Sequence, residues 1–196
     1  MAQSFSLLSY RKEKCMENYD GKVLRIREVG DPILYTKCKK IDIKNMTEED
    51  FKDIEDLKAS LDYSGGYGIA APQVGINKRI IIIQVDAEKC IYQYSEEVPT
   101  TVMINPTWKP ISDEKYIEYE GCLSVPAIRG KVERYKDIEV TYYDEAGIRV
   151  KKNVSGFTAR DIQHECDHLD GIVFLEKVIS NGYATLDMIK YFELRK

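Results

Sequence analysis

The sequence predicts an α+β fold on three observations. Segments with strand patterning follow one another in runs. The helical patterns are few and set apart, where a βαβ protein would alternate helix with strand. Residues 138–143 alternate apolar and polar, Asp144-Glu145-Ala146-Gly147 supplies a turn, and residues 148–154 alternate again, which is a hairpin signature. A chain of 196 residues has the length of one domain, and such a domain buries roughly 70% of its unfolded surface without disulfide staples.

In chain order, residues 1–21 carry Arg11, Lys12 and Lys14 beside Glu13, Glu17 and Asp20, with no apolar stretch of a secretory signal. They read as a flexible N-terminal extension, and the interspersed acids make an organellar transit peptide the less favoured reading. Residues 23–27 alternate, and Gly30-Asp31-Pro32 breaks the segment with turn chemistry. Thr47 before Glu48, Glu49 and Asp50 is a capped helix start, with acids where the helix dipole favours them. Phe51, Ile54, Leu57 and Leu61 then recur at helical spacing, until Ser64-Gly65-Gly66 ends the pattern. A small-residue segment occupies residues 66–73.

Residues 79–85 form a strand, and the run Ile80-Ile81-Ile82-Ile83 is continuous enough to be buried on both faces. Residues 86–100 read as a polar loop. Strand character returns over residues 101–105, and Pro106 and Pro110 punctuate the next stretch of chain. Residues 116–119 lead into Glu120-Gly121-Cys122-Leu123-Ser124. After the hairpin, residues 158–169 are a helix stopped by Gly171 in a C′ position. Residues 181–196 read as a closing helix, with Tyr183, Leu186, Ile189 and Phe192 inward.

Charge and composition remove several functional classes. Lys and Arg number 29 against 33 Asp and Glu, a net −4, so no direct nucleic-acid binding through a basic surface is expected. The longest aliphatic run is the four-residue Ile80-Ile81-Ile82-Ile83, far short of a membrane span. The five cysteines, at 15, 38, 90, 122 and 166, cannot all pair. Their scatter points to a reducing compartment, with any cysteine function metal-binding or catalytic.

Chemistry concentrates on the helix over residues 158–169. The chain's two histidines, His164 and His168, lie four apart and so leave one face of that helix about one turn apart. Glu165 stands between them. His-Glu-x-x-His on a helix is a metal-binding pair with a general base beside it. A solvated His/Glu face is the plain alternative, and the absence of any other histidine speaks against it. A catalytic metal site of the zinc type wants three protein ligands and one open position. The third ligand has to come from elsewhere, and Cys122 is available. Cys15, Cys38, Cys90 and Cys166 read as small core residues. Cys166, two residues from each histidine, points to the opposite side of the helix.

Three motifs in order make the chain resemble the peptide deformylase family. Gly-x-Gly-x-Ala-Ala-x-Gln reads Gly66-Tyr67-Gly68-Ile69-Ala70-Ala71-Pro72-Gln73. Glu-Gly-Cys-x-Ser reads Glu120-Gly121-Cys122-Leu123-Ser124. Gln-His-Glu-x-Asp-His-Leu-x-Gly reads Gln163-His164-Glu165-Cys166-Asp167-His168-Leu169-Asp170-Gly171. Gly30-Asp31-Pro32-x-Leu34 also fits, and the resemblance covers residues 22–196. The departures are small: Ile69 stands where the family often has Leu, and Asp161, one turn before His164, stands where many members are less polar. The second leaves the lining of the substrate pocket open.

The resemblance implies a fold of antiparallel sheets packed around a central helix carrying His-Glu-x-x-His, with residues 22–196 as a single catalytic domain. It implies a metal-dependent hydrolase that removes the formyl group from the N-terminal formyl-methionine of newly synthesised polypeptides and releases formate. Cys122, His164 and His168 would hold one divalent metal ion, Fe2+ being expected physiologically. Zn2+, Ni2+ or Co2+ would also suit a thiolate and two imidazoles. Such a cation brings the pKa of a water towards roughly 7. Glu165 would take the water's proton and deliver it to the leaving amine. The Gln73 amide and the Leu123 N–H would stabilise the oxyanion.

The resemblance also implies substrate contacts. Gly66 and Gly68 would leave backbone uncovered for an extended peptide lying alongside as an added strand. Ile69, the Cys122-Leu123 loop and the helix face with His164 would bound a methionine pocket, and Arg129 would contact the peptide. Glu120 and Arg134 would pair to brace the cysteine loop, and Asp167 would orient a ligand imidazole or cap a neighbouring group. The partner is a nascent formyl-Met chain near the ribosome exit, in a cytoplasm of bacterial type. The alternative is a metallopeptidase of the His-Glu-x-x-His type cleaving internal bonds, which would want a carboxylate in place of Cys122. A structural zinc site would want four protein ligands, and the chain has no third histidine.

Overall fold

The computed structural model describes residues 20–86 and 97–193. Among them, β1 (Gly68–Ala70), β2 (Ile80–Val85), β3 (Val98–Pro110), β4 (Lys115–Cys122), β5 (Val125–Tyr135), β6 (Asp137–Tyr143), β7 (Arg149–Ser155) and β8 (Val178–Thr185) make two sheets. Five strands run in the order β1-β2-β3-β6-β7 and three in the order β4-β5-β8. Every strand pairing is antiparallel. The α-helices are α1 (Glu48–Ser64), α2 (Gly156–Leu169) and α3 (Leu186–Glu193). The architecture is the α+β arrangement the sequence predicts, and α2 runs between the sheets.

Helix α1 begins on a reciprocal cap. The Asp50 N–H donates to Thr47 Oγ1 at 3.2 Å and the Thr47 N–H donates to Asp50 Oδ2 at 2.8 Å, which satisfies two of the N–H groups a helix start leaves open. It ends at Gly65, whose φ of 66° is the left-handed conformation a glycine adopts without strain. Phe51, Ile54, Leu57 and Leu61 are fully buried. They pack on Ile80, Ile82, Val102 and Ile104. Ile81, Ile83 and Met103 leave the other face of the same sheet and pack on Ala159, Ile162, Cys166 and Leu169 of α2. The aliphatic run is unbroken because a helix covers each face of the sheet. Each such side chain contributes about 1.5–3 kcal/mol by leaving water.

Several segments differ from their sequence reading, each for a local reason. Residues 23–27 are extended but enter no ladder. Leu24 and Ile26 pack on the core, while the backbone bonds go to the Ser60 hydroxyl and the Gln73 carbonyl. The strand over residues 101–105 extends to Pro110. Asn105 takes φ 51°, and the register shifts between Ile104 and Thr107. Pro106 sits at that bulge, where no ladder N–H is needed. The Asn105 amide meanwhile clasps the Ile41 backbone, accepting at 2.9 Å and donating at 2.8 Å. β5 carries no clear period-two pattern and is absent from the sequence reading. Residues 181–185 belong to β8 rather than to a helix. Asn181 at φ 59° turns the strand, the helix starts only at Leu186, and Tyr183 is 57% exposed rather than inward. Most of the expected polar loop, residues 87–96, and most of the N-terminal extension, residues 1–19, lie outside the described residues, as do Cys15 and Cys90.

Candidate metal centre

Helix α2 has two working faces. Its apolar stripe packs on the five-stranded sheet, and its polar side turns to the β4–β5 hairpin. Cys122 is the last residue of β4, at a register shift between Glu120 and Cys122, and Leu123 and Ser124 form the tight turn into β5. A bulge of this kind re-aims a side chain off the regular pleat. The Cys122 Sγ lies 3.2 Å from His168 Nε2, and one donor atom from each of Cys122, His164 and His168 falls within 4.8 Å of the others. His164 Nδ1 is 2.9 Å from Glu120 Oε2, which leaves its Nε2 as the ring nitrogen free to serve as a ligand.

The electrostatics suit a cation. Burial alone would raise the Cys122 thiol, but the charge of His168 and hydrogen bonds with both histidines overcome it and hold the thiol well below its ordinary pKa. Burial alone would lower His164, but its bonds to Cys122 and Glu120 raise it well above the usual imidazole value. The cluster therefore concentrates thiolate charge in a spot that asks for positive charge. Glu165 Oε2 is buried with no hydrogen-bond partner. Burial, the largest influence, raises its carboxyl well above the ordinary range against the field of His164. A soft thiolate, two imidazoles and a spare carboxylate oxygen fit a divalent transition metal with a water beside it.

A frame of buried charges holds these donors. Glu120 and Arg134 are 4% and 3% exposed. The guanidinium of Arg134 grips the carboxylate through Nε and Nη2, both at 2.9 Å. Burial opposes ionisation of Glu120, but Arg134 and His164 outweigh it and keep the carboxyl far below the usual carboxylate range. Arg134 Nη1 also donates to Asp167 Oδ2, and Lys177 Nζ lies 2.6 Å from Asp167 Oδ1. Asp167 thus braces Arg134 and makes no bond to a ligand imidazole, so of the two roles expected for it only contact with a neighbouring group is met. His168 Nδ1 has no partner.

A residue the sequence reading missed completes the frame. Arg160 is buried, donates to Glu120 Oε1 at 2.6 Å and to the Val132 and Tyr116 carbonyls, and stacks over the Tyr116 ring. Its position four residues before His164 puts it on the same helix face, but that spacing alone does not set it apart from any other helix charge.

A cavity of about 300 Å³ opens onto this cluster. Gly66, Tyr67 and Gly68 form one wall, Tyr119 to Leu123 with Arg129 the other, and Phe157, Arg160, Asp161, His164 and Glu165 the floor. The walls meet at the edges of both sheets, since β1 and β4 are each the terminal strand of their sheet. A Cβ on Gly68 would lie 2.8 Å from Asp161 Oδ2 and 2.9 Å from Glu165 Oε1, so only glycine lets these carboxylates approach the wall. Gln73 is buried beneath the cluster. Its Oε1 accepts from the Ala70 N–H at 2.8 Å, while Nε2 reaches Cys122 Sγ and Ser124 Oγ, both at 3.3 Å. Ile69 does not border the cavity. On β1 it faces the side opposite to Gly68 and is fully buried among the residues that pack on α1, so its assignment to the methionine pocket is corrected. Tyr67 and Phe157, in edge-to-face contact at 5.3 Å, line the cavity without having been anticipated. Cys166 is buried in the core on the opposite side of α2, as its spacing predicts.

Comparison with known proteins gives one consistent answer. The family model described as polypeptide deformylase matches residues 23–183. Peptide deformylase 1A, chloroplastic/mitochondrial, of Arabidopsis thaliana is 39% identical over 81% of this chain, which spans 62% of that protein's length. Peptide deformylase 1 of Nitrosomonas europaea is 38% identical over 76% of this chain and 84% of its own. Among solved structures, a Met-Ala-Ser-bound class I type b peptide deformylase from Acinetobacter baumannii superposes with a TM-score of 0.73 at 36% identity, covering 80% of this chain and 98% of that one. The peptide deformylase of Thermotoga maritima superposes with a TM-score of 0.71 at 34% identity, covering 81% and 99%.

Proposed function

The chain belongs to the polypeptide deformylase family and is an enzyme that removes the formyl group of newly made polypeptides, and from that premise we propose which of its residues do the work. The observation that carries the assignment is the convergence of Cys122, His164 and His168 within 4.8 Å beside a buried Glu165 oxygen that has no partner. Cys122 Sγ and the Nε2 atoms of both histidines would hold one divalent cation. When bound, it polarises the formyl carbonyl and lowers the pKa of a water towards roughly 7.

The protein's own groups do the rest. Glu165 takes the proton of the attacking water and later delivers it to the leaving amine of the methionine. The Gln73 side chain, anchored through its carbonyl, turns its amide N–H to the oxyanion together with the Leu123 N–H. Its contacts to sulfur and hydroxyl at 3.3 Å are long enough to be given up. Glu120 fixes the His164 ring through Nδ1, Arg134 and Arg160 fix Glu120, and Asp167 braces Arg134. The uncovered backbone of Gly66 and Gly68, with Arg129 opposite, receives the peptide as a strand added at the sheet edge. Fe2+ is the physiological metal in this reading, and Zn2+, Ni2+ or Co2+ would occupy the same donors.

Residues 22–196 act as the catalytic domain and residues 1–21 as an extension. In support, the Lys22 N–H already donates to Asp56 on α1 at 2.6 Å. No described helix is long and apolar enough to cross a membrane. We propose that the enzyme meets its substrates near the ribosome exit in a cytoplasm of bacterial type, a reading in line with the similarity to bacterial relatives such as that of Nitrosomonas europaea.

The test is metal content and turnover of protein purified without oxygen. It should carry about one metal per chain, as three protein ligands with one open position require, and hydrolyse formyl-Met-Ala-Ser while sparing acetyl-Met-Ala-Ser. Cleavage of an internal bond with the formyl group left in place would instead identify a His-Glu-x-x-His peptidase.

A further inference from the structure

The cavity floor holds one group that the reaction does not use. Asp161 lies three residues before His164 and four before Glu165, so it occupies the same face of α2 one turn nearer the helix start. Its Oδ2 is buried with no hydrogen-bond partner, lodged against the bare α-carbon of Gly68. The residue as a whole is only half-buried and lines the cavity. The Asp161 carboxyl thus borders the cavity with a buried oxygen that no protein donor satisfies.

Position says what fills it. With the formyl carbon beside His164 and Glu165, the substrate's first side chain branches at the α-carbon two bonds away, roughly 2.5 Å, and a side chain of methionine length reaches several ångströms further, enough to span the roughly 5 Å of one helical turn along the floor. One turn from His164, the floor is Asp161. This placement rests on the deformylase reading given above. An unsatisfied buried carboxyl penalises a wholly apolar side chain and rewards one that hydrogen-bonds to it. Glutamine matches methionine in chain length. Its amide can donate to a carboxylate and can also accept from a carboxyl, so it suits Asp161 in either protonation state.

We propose that Asp161 is a specificity-determining residue, which makes the pocket for the first side chain accept a hydrogen-bonding residue and admits N-formylglutaminyl peptides as substrates alongside N-formylmethionyl ones. The reaction itself is unchanged: water adds to the formyl carbon, the C–N bond breaks, and formate and the free amine leave.

The experiment measures kcat/KM for formyl-Gln-Ala-Ser and formyl-Met-Ala-Ser with the metal-loaded wild-type enzyme and with Asp161→Leu, in one buffer. The ratio of the glutamine to the methionine substrate should fall at least about tenfold in Asp161→Leu, as when a site built for a polar group loses its partner. A fall of less than about fivefold overturns the proposal, whatever happens to the two rates separately. Asp161→Ala reads the same ratio by the same criterion if the leucine variant does not fold. Asp161→Asn keeps an acceptor and should hold the ratio within about threefold of wild type, and a collapse there as large as in the leucine variant would also overturn the idea. If the wild-type enzyme hydrolyses neither formyl peptide, the deformylase reading fails. If it hydrolyses formyl-Met-Ala-Ser and the ratio does not move, only the role of Asp161 fails.

Discussion

Replacing Glu120 with glutamine tests the claim that buried charge, and not the ligand residues alone, holds the metal centre. The carboxylate receives both arms of Arg134 at 2.9 Å, Arg160 at 2.6 Å and His164 Nδ1 at 2.9 Å, and all four residues are buried. Glutamine keeps the shape but removes the charge, and it turns an NH2 group toward a guanidinium that can only donate. Breaking a buried ion pair by removing one partner costs about 3–5 kcal/mol. Glutamine retains one acceptor, so the lower end, about 3 kcal/mol, is the expectation. At roughly 2–4 °C per kcal/mol for a chain of this size, Tm should fall by about 6–12 °C. His164 loses its anchor as well, and metal affinity should drop about 10–100-fold. Urea denaturation of both proteins with metal removed, followed by metal titration, separates the two effects. Lys136→Gln, which breaks an exposed pair with Glu114, serves as the control and should leave the midpoint where it was. A Glu120→Gln protein that loses under about 1 kcal/mol and binds metal as well as wild type would refute the reasoning, since it would show that the frame stores nothing.

The same carboxylate sets a pH dependence. Its folded pKa is depressed below the ordinary 4.5, so its contribution to stability is fully present above that value and is lost as pH falls below it. Denaturation midpoints measured from pH 6 downward should show this loss in wild type and a shallower one in Glu120→Gln. Glu165→Gln should keep its metal and lose at least ~10² in turnover, the scale of general-base catalysis, and near-normal turnover in a metal-loaded variant would remove that role. Cys122→Ala should lose metal and activity together, because the thiolate is one of the three candidate donors found among the described residues, and stoichiometric metal retained on dilution would place the third ligand elsewhere. Deleting residues 1–19 should leave formyl-peptide hydrolysis and Tm unchanged, and a drop in either would show that the stretch packs on the catalytic domain.

The parts of the fold legible in the sequence are those where one local rule decides the outcome. The start of α1 is set by Thr47 and Asp50, its end by Gly65, and the double burial of β2 by an aliphatic run with no polar interruption. Where two rules compete, the tertiary context wins. Pro106 reads as a strand breaker, yet β3 passes through it because Asn105 adopts a left-handed conformation there and moves the proline to a bulge. Residues 181–185 read as the first part of the closing helix, yet they belong to β8, which pairs with β5 on both sides of an irregularity. β5 escaped notice because its apolar residues face a satellite core of Leu34, Val173 and Phe174 that no local pattern announces.

The candidate histidine donors were legible for a different reason: histidine is rare in this chain. With two histidines in the whole sequence, their spacing alone puts both on one helix face, whereas Cys122, one of five cysteines, stood out only through the Glu-Gly-Cys-Leu-Ser motif. The surrounding frame could not be read the same way, because arginine and glutamate are common and only burial makes them special. Arg160 illustrates this. On a helical projection it is another charge four residues before His164, and it acquires its role only because the β4–β5 hairpin closes over it, supplying the Tyr116 and Val132 carbonyls and the Glu120 carboxylate at once. Those three acceptors come from residues 44, 28 and 40 positions away in the chain. The hairpin also carries Cys122. Closing it over α2 therefore buries the arginines and brings the thiolate to the histidines in a single step. Folding of the frame and assembly of the donor set are the same event, and this is why loss of Glu120 should weaken metal binding and stability together.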